Sequence, residues 1–193
     1  MSMNWKWMIG LSLLCLVWTT AGFSEEYSLR YFLEKNSSKT YELSKKEKGE
    51  LLNQIERVLE QAKQIQLRLS RLLQGGETDI KYQDGTFWMS QLDEDQGSID
   101  AGAQQLKILR EKGPQLVAAI KLYKSLKDLS FHFNVYNNTP SFSAFIGDVA
   151  PELELWGDPV FYRLYLLPLA QSRNVETKPP TKEKKQEPKT RKN

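Results

Sequence analysis

The stretch SFHFNVY, residues 130–136, alternates along its length: Phe131, Phe133 and Val135 fall on one side, His132, Asn134 and Tyr136 on the other. A period of two in apolar and polar residues predicts a half-buried β-strand. The sequence that follows repeats the pattern. NNTP (137–140) reads as a turn, and then Phe142, Ala144 and Ile146 alternate with Ser141 and Ser143. Further on, Leu153 and Leu155 oppose Glu152 and Glu154, and Gly157-Asp158-Pro159 supplies a turn before a last apolar run. Short strands joined by turns predict an antiparallel meander with one buried face.

Upstream of it the period is helical. In residues 40–76, Ser44 and Glu47 have the spacing of a capping box, and Gly75-Gly76 marks a stop. Between them Leu51, Ile55, Val58, Ala62, Ile65, Leu69 and Leu72 recur at alternating spacings of four and three, a heptad pattern. Leu52, Leu59 and Leu73 widen the stripe on one flank, with Gln66 its polar break. Three apolar residues per heptad suit packing inside the same chain better than a two-stranded seam, so a monomer is expected over a coiled-coil dimer.

Residues 78–92 read as a short hairpin, with Ile80 and Tyr82 alternating, Asp84-Gly85 at the turn and Phe87-Trp88-Met89 returning. A second helical region follows, its apolar face marked by Ile99, Ala103, Leu106, Leu109, Leu116, Ile120 and Tyr123, with a break at Gly113-Pro114. Residues 25–39 fit a strand or a helical turn equally. Helices followed by strands make the expected fold α+β, with the long N-terminal helix and the broken second helix packed on a C-terminal antiparallel β-meander.

The ends of the chain differ from its body. Residues 1–24 carry one charge, Lys6, and an apolar run followed by TTAGFS, the layout of a signal peptide with cleavage near residues 21–24, or of an uncleaved anchor. Residues 25–172 form the expected single domain, with net charge −3, and residues 173–193 a basic Lys/Pro-rich tail of net charge +5. With no large apolar residue after Val175, the tail is expected to be disordered. The single cysteine, Cys15, lies in the first segment, so a chain processed after Ser24 has no thiol for disulfides, thiolate catalysis or cysteine-bound metal. An exported domain of this size without disulfides points to a bacterial envelope compartment, periplasmic or secreted, with inner-membrane anchoring as the alternative.

The chemistry-bearing residues are few. There is no phosphate-cradling glycine loop, no nucleophile elbow and no zinc-protease helix. His132, the only histidine, is expected to be a solvated or hydrogen-bonded side chain of a strand rather than an acid–base group. Asp93, Glu94, Asp95 and Asp100 crowd one segment but lack the glycine and the closing glutamate of a calcium loop, and read as a solvated acidic turn ahead of a helix. Glu152 and Glu154 share a strand face, the minimum for a glycosidase pair, without a second motif. Of the aromatics Phe87, Trp88, Tyr136, Trp156, Tyr162 and Tyr165, most are expected in the core. No catalytic, cofactor-binding or metal-ligating residue is assigned, and no cofactor.

The expected role is therefore binding, as an exported accessory or scaffold component whose partner is another envelope protein or polymer. A small-ligand carrier with a pocket between sheet and helices is the alternative, and a hydrolase with an atypical carboxylate site the third reading. Lys178, Lys182, Lys184, Lys185, Lys189, Arg191 and Lys192 of the tail could touch an anionic surface, although three glutamates dilute their field. Nucleic acid is not an expected partner of an exported protein.

Overall fold

The structure, a computed structural model, describes residues 27–38, 42–76 and 82–176. The expected signal segment, Ile80 of the expected hairpin and the seven tail cations from Lys178 to Arg191 and Lys192 lie outside the described residues. Among the described residues there are seven α-helices: α1 (Leu29–Ser37), α2 (Lys45–Gly75), α3 (Tyr82–Glu111), α4 (Leu116–Asn137), α5 (Pro140–Ile146), α6 (Val149–Leu155) and α7 (Leu167–Glu176). A π-helical segment, Trp156–Leu166, joins α6 to α7 without a break. Among the described residues there is no β-strand, so the expected α+β fold and its meander are overturned. The last helix also runs on to Glu176, into what the sequence assigns to the tail.

The longer helices form an up-down-up-down bundle in ring order. Helices α2 and α3 are antiparallel, since Gln66 meets Leu92 near one end and Glu56 meets Arg110 near the other. Asp95 faces His132 and Gly102 faces Ser125, so α4 reverses direction again. The α6–π–α7 run returns along α4, with Asp158 beside Lys127 and Tyr162 beside Tyr123, and closes the ring on α2. Helix α5 crosses one end, where the Arg68 guanidinium lies 4.8 Å from the ring centre of Phe145. Helix α1 packs on the π-helical segment through Phe32 and Trp156.

Every expected strand that falls within the described residues is helical for a reason the side chains show. In α4 the buried row runs Ala119, Leu122, Leu126, Leu129, Phe133 and Tyr136, spaced by three and four and flanked by buried Ala118, Ser125 and Ser130, whereas Phe131 and Val135 are exposed. A seven-residue window catches the exposed pair and mimics a period of two; over three helical turns the 3.6-residue period is plain. In α5, Phe142 and Ile146 are four apart and both buried, with Pro140 in the first turn. Asp84 and Gly85 lie in the first turn of α3 rather than a hairpin, and the row Trp88, Leu92, Asp95, Ile99 faces inward. The Gly-Asp-Pro triplet sits inside the π-helical segment. Pro159 offers no N–H and its ring would crowd the carbonyl four residues back in an α-helix, and the wider π turn relieves that contact.

The capping box on α2 is present in both directions, and the helix ends at Gly76 with φ of 67°. Its stripe faces the bundle: Leu51, Leu52, Ile55, Val58, Leu59, Ala62 and Leu69 are buried, while Ile65, Leu72 and Leu73 are partly buried at the edge of the core. The stripe packs against helices of its own chain, α3 above all, and not on a sheet. Gly113, with φ of 76°, ends α3 as expected; Pro114 precedes the N-cap Gln115 and so stands just outside α4. Gly102 is the tightest point of the bundle. A Cβ there would lie 3.1 Å from Leu59 Cδ1 and 3.4 Å from Ser125 Cβ, so α2, α3 and α4 meet at this residue.

Glu47 ties α1 to the start of α2. Its carboxylate accepts hydrogen bonds from Tyr31 Oη, Lys35 Nζ and the Ser44 amide. Burial pushes its pKa up, but these donors outweigh burial and hold it at about 2, against an ordinary 4.5. A carboxylate with a depressed folded pKa contributes stability above its unfolded pKa and loses it on acidification. We predict that stability falls as pH drops from about 4.5 towards 2. Glu47→Gln should remove about 2–3 kcal/mol at pH 7 and flatten that acid limb. Urea unfolding of both proteins at pH 7 and pH 3 checks this; equal slopes against pH would refute it.

Candidate functional site

A buried polar cluster lies between α3 and α4. Asp95 is fully buried, and its carboxylate accepts from Tyr136 Oη at 2.5 Å and from His132 Nδ1 at 2.6 Å. Gln91, one turn before Asp95, places its Nε2 against the His132 ring, 3.1 Å from Nδ1 and 3.2 Å from Nε2. With the ring proton on Nδ1, His132 donates to Asp95. Burial pushes the Asp95 pKa up, opposed by the hydrogen bonds from Tyr136 and His132. Burial, then the charge of Asp95, raises the Tyr136 phenol well above its ordinary range. Around the cluster Trp88 packs on Tyr136 and Phe142, with ring centres 5.7 and 5.2 Å apart.

This cluster works as a clamp. A buried carboxylate held by an imidazole and a phenol joins the two helices at a fixed register. It contains a histidine and a carboxylate in hydrogen-bond contact, and here both are drawn into joining α3 to α4.

The other sequence candidates do not converge. Asp95 points inward, while Asp93, Glu94 and Asp100 are exposed, so the acidic turn is a helix with one carboxylate in the core. Among the described residues no group of three or more His, Cys, Asp or Glu side chains could hold a metal. Glu152 and Glu154 share no strand face: Glu152 accepts from Trp156 Nε1 at 3.1 Å, and Glu154 is exposed. The carrier pocket between sheet and helices has no sheet to form it. A cleft of about 350 Å³ instead opens at one end of the bundle, between Leu43 and Lys48 on one side and Leu164 and Tyr165 on the other. Of the six aromatics, Tyr136, Trp156 and Tyr165 are buried and Trp88 partly so, whereas Phe87 and Tyr162 are exposed.

A second polar set fixes the π-helical segment to α4. Asp158 accepts from Tyr123 Oη at 2.5 Å and from Lys127 Nζ at 2.6 Å. Burial and the Asp158 partner push the Tyr123 phenol up to about 12. Burial raises the Asp158 carboxyl, but Lys127 and Tyr123 more than reverse this and leave it below its usual range.

The feature that sequence reasoning missed is the outer face of α4. Val117, Ile120, Phe131 and Val135 are all exposed, Phe131 at 67% and Val117 at 63%. With Lys124 and Asp128, paired at 2.5 Å, between Ile120 and Phe131, the steps are three, four, four, three and four, and all six residues lie in one row. The signal was present in the sequence, since these residues break the inward pattern of α4. The strand reading absorbed Phe131 and Val135 into a buried face, and Ile120 was placed on the core side of the helix.

No protein-family model, curated protein or solved structure matches the chain. Among the described residues no helix is long and apolar enough to cross a membrane.

Proposed function

We propose that this protein is an exported helical bundle that acts by binding another macromolecule, as an accessory or scaffold component of a bacterial envelope or its exterior. The observation that carries the reading is the row Val117, Ile120, Phe131 and Val135 on the outside of α4. Four large apolar side chains aligned on one exposed helix face are the kind of surface that marks an interaction site rather than scattered surface hydrophobics. The polar clusters support a structural use of the ionisable residues, because each is consumed in joining helices. Export rests on the near-uncharged apolar segment before Glu25, and the bacterial compartment on the absence of any cysteine after Cys15.

The test is made in the native cells, with the photo-reactive residue benzoylphenylalanine placed at Phe131 and, as a control, at the exposed Glu154. The reading expects macromolecular adducts from Phe131 and few from Glu154, on a protein whose N-terminus lies between residues 22 and 26. Equal labelling at the two sites would discard the α4 face. An intact Met1 in the membrane fraction would replace the exported form with an anchored one.

A further inference from the structure

We infer that the outer face of α4 is a self-complementary seam through which two copies of this chain associate antiparallel. The inference rests on the binding reading above and names the partner. Residue 126 lies midway between Val117 and Val135, and again midway between Lys124 and Asp128. Ile120 and Phe131 stand six and five residues to either side of it. Leu126 itself is buried on the opposite side of the helix, so the stripe is symmetric about a point on its own surface.

That symmetry is what a two-fold interface requires, because in such a contact residue i meets residue j and residue j meets residue i. Laid antiparallel across a two-fold axis at the level of Leu126, two α4 helices bring Val117 of each copy to Val135 of the other. Ile120 meets Phe131 in the same way. Lys124 of each copy meets Asp128 of the other, so the intrahelical ion pairs become a four-charge cluster between two apolar patches. A partner with an unrelated surface would need no such palindrome. The contact is narrow, well below the roughly 20–30 residues a side of a standard interface, so the dimer is weak and depends on concentration. The broad stripe of α2 has no part in it, being already covered by the chain's own helices.

The test uses the full chain and charge exchange at the exposed Lys124 and the half-buried Asp128. Sedimentation equilibrium over about two decades of concentration is expected to show a monomer–dimer equilibrium for the wild type. Lys124→Asp alone and Asp128→Lys alone each set like charges against each other and should weaken association by about tenfold or more. The double exchange restores the pairing and should recover wild-type association, and a 1:1 mixture of the two single variants should associate at least as well as wild type. Phe131→Ser should abolish association, and circular dichroism identical to wild type shows that the bundle still folds. A wild type that stays monomeric at every concentration overturns the inference, as does a dimer indifferent to all of these changes. Photo-adducts at Phe131 separate this failure from that of the binding reading. A product of twice the chain mass supports the dimer. A heavier adduct to a different protein leaves binding standing and removes the dimer. A cross-link confined to one chain, or none, removes both.

Discussion

Trp156→Ala is expected to lower the stability of the bundle by about 3–5 kcal/mol, the range for removing a large buried aromatic without collapse of the space it filled. Trp156 is almost fully buried at the start of the π-helical segment, its ring 5.8 Å from that of Phe32 in edge-to-face contact. The indole N–H is satisfied by Glu152, so truncation also leaves a half-buried carboxylate without that donor. Refilling the space requires movement of α1, of α6 or of both, and the Glu47 cluster holds α1 at its other contact. Trp156→Phe keeps most of the ring and should cost less than half as much. Urea unfolding at low protein concentration measures both, and a double-mutant cycle with Phe32→Ala should reveal coupling of about 1 kcal/mol. A Trp156→Ala cost below about 1 kcal/mol would mean that α1 and the last helical run do not pack as described.

Asp95→Ala is expected to be almost as damaging, at about 3–4 kcal/mol, because it strands the Tyr136 hydroxyl and His132 at a buried helix interface. Asp95→Asn should cost much less: its side-chain oxygen still accepts from Tyr136, and with the imidazole proton moved to Nε2 its amide can donate to His132 Nδ1. The two variants also separate in their pH dependence. The folded pKa of Asp95 lies above its unfolded value of 3.8, so the folded protein takes up this proton more readily. The contribution is therefore fully present below the unfolded pKa and is lost as pH rises through the raised folded value. It opposes the acid loss from Glu47, and Asp95→Asn should steepen the net fall in stability on acidification relative to wild type. Thermal melts of the three proteins at intervals from pH 7 to pH 4 decide it. Indistinguishable profiles for wild type and Asp95→Asn would show that this carboxyl does not titrate as its burial demands.

The two expectations share a lesson about which residues disclose a fold. The start and stop of α2 were legible because capping is local: Ser44, Glu47 and Gly76 satisfy or release backbone groups within a turn of themselves. The break at Gly113 was legible for the same reason. What failed was every inference resting on a short apolar alternation. At residues 130–136 a period of two arises because Phe131 and Val135 face outward on a helix whose buried row is Leu129, Phe133 and Tyr136. Large exposed apolar residues violate the amphipathic rule, and a reading that assumes the rule converts them into a strand. The candidate surface and the error in fold thus have one cause. Asp95 was hidden by a different confusion. Placed in an acidic turn it looked solvated, whereas on the row Trp88, Leu92, Asp95 and Ile99 it is a charged residue at a core position, the usual mark of a buried network.

The ring order of the helices also bears on how the chain finds its fold. The joints α2–α3, α3–α4 and α4 with the last run each connect neighbours in sequence, so each can zip from its own short connection with little loop entropy to overcome. Chains dominated by such local joints fold in about microseconds to milliseconds. Among the described residues, the closure of α1 onto the final run, through Phe32 on Trp156, and of α2 onto α5, through Arg68 on Phe145, brings distant segments together. A chain emerging from synthesis can therefore assemble three helices in order while its last run is still absent. Until that run arrives, the apolar faces it will cover stay open to water, and the interval before ring closure is when this protein is most exposed to wrong partners.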